Sequence, residues 1–134
     1  SIKNVSASKK SKLVDCQMIT LDEWVLNHQI YPDFIKCDVE GAELLVFRGG
    51  KQTLSKSKPV IFTELLRKWS KPFGYHPNDM INYFANIGYI CFAIGSSSVR
   101  KIKSVNDDTI ETNYVFLNTK KHNKQIDRIH NLVY

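Results

Sequence analysis

The chain has 134 residues, 43 % of them apolar, enough to build the core of one domain and too few for two. Its formal charge of +6 is unevenly spread: six carboxylates accompany one lysine between Asp22 and Glu43, whereas Arg48 to Lys71 carries seven cations against Glu64 alone. The basic stretch lacks the interleaved stacking aromatics of an RNA-binding pattern, so solvated faces account for it and no specific nucleic-acid partner is expected.

No run near Ser1 has the apolar length of a secretory core or a membrane span, so no membrane segment is expected. The cysteines Cys16, Cys37 and Cys91 are scattered and lie mostly within apolar runs. Core thiols in a reducing, cytoplasmic setting are the expectation.

Residues 1–12 are polar and lysine-rich without periodicity and read as a flexible lead-in. Leu13 to Ile19 is a short strand candidate, and Thr20-Leu21-Asp22-Glu23 has the spacing of a capping box that opens a helix to about His28. Phe34 to Cys37 is an apolar strand that stops at Asp38-Val39-Glu40-Gly41. Beyond it Ala42, Leu45, Val46, Gly49, Thr53 and Leu54 share one helical face, with Gly49-Gly50 either bringing the helix close to the sheet or ending its regular part. Pro59 fixes the start of a second strand, Val60 to Leu65, whose far end carries Glu64.

Arg67 to His76 reads as a loop rich in bulky polar-tipped residues. Pro77 then takes the first position of a helix to about Ile87, with Ile81, Phe84 and Ala85 turned inward. Gly88 stops that helix before the strand Tyr89 to Ile94. Gly95 to Ser98 turns the chain, Val99 to Lys103 pairs back, and Asn113 to Leu117 supplies a last strand. From Lys121 the chain is weakly amphipathic through Ile126, Ile129 and Val133. Alternating strands and helices argue for an α/β fold with a parallel sheet and right-handed crossovers. The expected division is a lead-in at 1–12, a folded body at 13–120 and a tail at 121–134.

Chemistry concentrates at the strand ends, where loops diverge and leave a crevice in open α/β sheets. Asp38 and Glu64 end two strands joined by one crossover, so they are expected on neighbouring strands; helix capping at Asp38 and a surface ion pair at Glu64 are the alternatives. Glu40 and Glu43 open the next helix, where its dipole already favours acids. His76 could serve as a base or a substrate contact, or simply cap a helix. Trp69 and Tyr75 could stack on a sugar or pack their own loop. Asp22 occupies a first-turn position where an acid is expected anyway. His28, His122 and His130 have no metal-ligand spacing to one another or to a cysteine pair.

The stretch Phe34-Ile35-Lys36-Cys37-Asp38-Val39-Glu40-Gly41-Ala42-Glu43 resembles the signature of the FkbM family of S-adenosylmethionine-dependent methyltransferases. Thr20-Leu21-Asp22, Phe47-Arg48-Gly49-Gly50, Leu54 and Pro59-Val60-Ile61-Phe62-Thr63-Glu64 resemble further blocks of that family in the same order. The resemblance covers roughly Thr20 to Ile94. It implies strands four to seven of a Rossmann-like class I methyltransferase sheet in a three-layer α/β/α arrangement, the final strand antiparallel. No glycine-rich cofactor loop occurs in the chain, so the resemblance implies the carboxyl-terminal half of such a domain, a fragment with its first three strands upstream.

The implied activity is methyl transfer from S-adenosylmethionine to a hydroxyl of a sugar, lipid or natural product, with a small-molecule or glycan substrate as partner. Under that reading Asp38, Glu64 and Glu40 are the catalytic candidates, Asp38 also contacts the cofactor, and His76, Trp69 and Tyr75 bind substrate. The carboxylates would act as base and orienting acceptor, or hold a divalent cation that lowers the pKa of the bound hydroxyl. The strand Phe34 to Cys37 would become an unpaired edge, which favours homo-oligomers. Two rival classes are a non-catalytic basic interaction domain derived from a methyltransferase and a metal-dependent hydrolase using Asp38, Glu40 and Glu64.

Overall fold

The computed structural model describes residues 15–131. The expected lead-in at 1–12, the first two residues of the Leu13–Ile19 strand and Val133 lie outside the described residues. Asp15 to Ile19 form no strand; Met18 and Ile19 are exposed, and an extended segment without a neighbour has no ladder to join.

Thr20 caps helix α1 (Leu21–His28), its hydroxyl oxygen accepting from the Glu23 amide at 3.1 Å. Only this half of the expected capping box forms. Strand β1 (Phe34–Cys37) follows, and then two short helices, α2 (Glu43–Arg48) and α3 (Lys51–Ser57), in place of one. The two helices meet at Gly50, where an added Cβ would stand 2.5 Å from the end of the Leu21 side chain, so α1 packs closely over this junction. Asp22 completes the junction by accepting from the Gln52 and Thr53 amides and the Thr53 hydroxyl at 2.7 to 2.9 Å.

Strand β2 (Val60–Glu64) begins after buried Pro59. The segment read as a loop contains a turn of helix, α4 (Arg67–Ser70), and a 3-10 turn at Lys71–Phe73. Helix α5 (Pro77–Asn86) carries a full capping box: the His76 ring accepts from the Asn78 amide, and the Asp79 carboxylate accepts from the His76 amide. Strands β3 (Tyr89–Ile94) and β4 (Val99–Ile102) form a hairpin, β5 is Asn113–Asn118, and the amphipathic end is a helix, α6 (Asn123–Asn131).

The sheet is mixed, with order β1-β2-β5-β3-β4. Only β1 and β2 pair in parallel; β5 lies antiparallel between β2 and β3, which therefore run the same way, so the sheet is not all-parallel and its final strand is antiparallel, as the family resemblance implied. The direction reverses at the β3–β4 hairpin; β5 then keeps the direction of β4 and reaches the far side of β3 through residues 103–112. On one face Phe84 of α5 is the hub, stacked on Phe116 at 4.4 Å and edge-on to Phe47 and Tyr89. On the other, Phe92 and Leu117 meet Ile126 of α6. Successive residues Cys91, Phe92 and Ala93 divide between these two clusters as a pleated strand requires. Cys37 and Cys91 are buried, as core thiols should be, whereas Cys16 is exposed.

Candidate functional site

β1 and β2 run side by side in register, ending with the pair Cys37 and Thr63. Asp38 and Glu64 therefore leave the same end of two adjacent parallel strands, one residue beyond that pair. The chain then turns sharply through Glu40 (φ 54°) and Gly41 (φ 103°) before α2 begins. A Cβ on Gly41 would clash with the backbone oxygen of Trp69, so the α4 segment seals directly over the turn.

The carboxylates at this end differ in their commitments. Glu43, 3 % exposed, accepts from the Val39 and Gly41 amides on Oε1 at 3.0 and 3.1 Å and from the Tyr75 hydroxyl on Oε2 at 3.2 Å. Asp38 is exposed and pairs with Lys36 at 3.1 Å, a contact between two solvated side chains. Glu64, half-buried and opposite Asn113 in the ladder, makes no side-chain hydrogen bond or ion pair among the described residues. Glu40 is exposed with its side chain equally free. Burial, with the charges of Glu43 and Asp38 added, pushes the Cys37 thiol up to about 12, so it stands protonated beneath the turn.

The aromatic segment is arranged around this turn. The Tyr75 hydroxyl, raised well above the usual phenol range by burial and then by Glu43, is engaged by that carboxylate. Trp69 is half-buried with Lys68 Nζ 4.6 Å from its ring centroid. His76 is exposed at the cap of α5. A cavity of about 150 Å³ opens just past β2, lined by Leu66, Arg67, Thr109, Glu111 and Tyr114 among others. A second, of about 220 Å³, lies beside Asp22, Tyr31 and Lys56. Neither is lined by Asp38 or Glu64.

The structure thus brings Asp38, Glu40 and Glu64 to one end of β1 and β2, and links Tyr75 to the same turn through Glu43. It places His76 in a helix cap. Glu43 holds the turn, a role its sequence signals only weakly: an acid two residues past Gly41, at a helix start whose dipole accounts for an acid equally well. Asp22 likewise caps α3. Its partial burial works to raise the carboxyl, but the Gln52 and Thr53 donors and Lys56 together hold it below the usual carboxylate range.

Among the described residues no group of three or more His, Cys, Asp or Glu is arranged to hold a metal ion, so the divalent-cation alternative has no support there. No helix of the described residues is long and apolar enough to cross a membrane. No curated protein and no solved structure gives a significant match to the chain. The family model of the methyltransferase FkbM domain matches residues 2–91, the N-terminal part of this chain, including β1, the acidic turn and β2. The chain belongs to the FkbM methyltransferase domain family.

Proposed function

We infer that this chain forms part of an S-adenosylmethionine-dependent O-methyltransferase acting on a hydroxyl of a sugar, lipid or natural product. The observation that carries the reading is the placement of Asp38 and Glu64 at one end of adjacent parallel strands within the family-matched segment. The strand order, with an antiparallel strand set between β2 and β3, supports a Rossmann-like sheet. One edge of β1 pairs with nothing among the described residues, consistent with a glycine-rich cofactor segment outside this chain.

Fit to the cofactor rests on the acceptors available. Among the described residues Glu64 is a half-buried carboxylate without a partner and Asp38 is held only by an exposed lysine, so both are available to accept from hydroxyl or ammonium donors. The bound cofactor supplies a methyl group activated on a sulfonium. Asp38 orients the acceptor hydroxyl and takes its proton, and Glu64 accepts a second hydrogen bond that fixes the approach. Glu40, on the rim of the turn, adds negative charge to the same end.

Methyl transfer from labelled S-adenosylmethionine by the intact protein tests this. Asp38→Asn is expected to lower turnover by about two to four orders of magnitude, the range for a lost general base, with an unchanged thermal melt. Unchanged turnover in that variant overturns the role of Asp38. A protein that transfers no methyl group but binds polyanions in a salt-dependent way would instead be the interaction domain.

A further inference from the structure

The acidic turn is clasped from two sides by one neighbouring segment. The Trp69 carbonyl abuts Gly41, and the Tyr75 hydroxyl donates to Glu43, which in turn receives the amides of Val39 and Gly41. Both amides reach the same oxygen, Oε1, while Tyr75 reaches Oε2. The carboxylate therefore works as a two-ended strut: one oxygen fixes the backbone of the turn, and the other fixes the strut itself.

Such a strut is needed because the turn holds itself poorly. Glu40 adopts a left-handed conformation that a non-glycine residue takes reluctantly, and Gly41 lies in a region open almost solely to glycine. Within the turn, the Ala42 amide reaches the Val39 carbonyl only at 3.4 Å. Without Glu43 the Val39 and Gly41 amides would lack partners, and the turn would relax toward commoner backbone angles. Asp38 immediately precedes this turn, so its direction relative to Glu64 follows from the same constraint.

We propose that Glu43 and Tyr75 are positioning residues, which lock the Val39–Gly41 turn and thereby fix how Asp38 is presented beside Glu64. The consequence for methyl transfer rests on the function inferred above. The lock itself does not, and it can be read without cofactor or substrate.

Amide hydrogen exchange and the carboxyl-carbon resonance of Asp38, measured by NMR on the full chain, read the lock directly. Tyr75→Phe keeps the ring and removes the hydroxyl. Exchange at Val39 and Gly41 should accelerate by about tenfold, with Phe92 and Phe116 at the sheet centre unchanged and the Asp38 resonance displaced. Glu43→Gln retains an Oε1 acceptor for both amides, and its Nε2 can donate to the Tyr75 oxygen. It should therefore restore near-native exchange at both amides, whereas Glu43→Ala should accelerate them by about a hundredfold. Unchanged Val39 and Gly41 exchange in Tyr75→Phe overturns the proposal. So does acceleration spread evenly to Phe92 and Phe116, which marks general destabilisation, and so does a Glu43→Gln variant as fast as Glu43→Ala. Should Glu43→Ala fail to fold, Tyr75→Phe and Glu43→Gln decide the matter alone.

Discussion

The α1–α3 junction and the β1–β2 strand ends both place acids of family-like motifs beside a helix start, yet they use them in opposite ways. At the junction Asp22 is saturated by two amides and a hydroxyl. At the strand ends Glu43 is saturated, but among the described residues Asp38 and Glu64 have a single solvated lysine between them. A carboxylate that satisfies orphan amides contributes to stability, and one left without partners contributes almost nothing to it. Two acids of similar motif standing can therefore be committed very differently: Asp22 and Glu43 hold backbone amides, while Asp38 and Glu64 hold none among the described residues.

The largest expected effect comes from breaking the scaffold of the strand ends. Gly41→Ala places a Cβ against the Trp69 carbonyl at a backbone angle unsuited to alanine, and should destabilise the fold by about 3 kcal/mol. Urea denaturation followed by circular dichroism measures it, and a value near zero would mean that the α4 segment does not seal the turn.

Asp22→Ala should cost about 1 kcal/mol at neutral pH, as a lost helix cap does. Because the folded-state pKa of Asp22 is depressed, its contribution is present above the unfolded value and is lost as pH falls through the folded one. The gap between wild type and variant should therefore narrow below about pH 4, and paired melts at neutral and acid pH show whether it does. A gap independent of pH would break the assignment of Asp22 to the scaffold.

The smallest effect sharpens the other half of the contrast. Glu64→Gln should leave the thermal melt within about 0.5 kcal/mol of wild type, since no bond is lost. A large destabilisation would place Glu64 in the scaffold after all.

Much of this was legible along the chain. Apolar runs bounded by Pro59, Gly88 and the acidic turn mark β1, β2 and β3, and Pro77 marks the start of α5. Local chemistry decides such boundaries. Two features were not legible because they depend on partners distant in sequence. The division of α2 from α3 falls where Leu21 packs over Gly50, and the capture of Glu43 by Tyr75 spans 32 residues. The helical turn at Arg67–Ser70 lacks the periodicity that would announce it, being only four residues long. Asp38, Glu40 and Glu64 could be placed at strand ends from sequence, but which of them stays free of partners could not.

The position of β5 bears on how the molecule assembles. β2 and β3 share no ladder; each is joined to the sheet through Asn113–Asn118, with Phe116 opposite both Ile61 and Cys91. The strand that stitches the two halves is thus the last in chain order among the described residues. Without it, the β1–β2 pair and the β3–β4 hairpin would each expose an unpaired edge, and Phe84 would lack the ring it stacks upon. The family-matched segment ends inside β3, before this strand begins. The sheet is continuous only because this six-residue strand pairs with β2 on one side and β3 on the other.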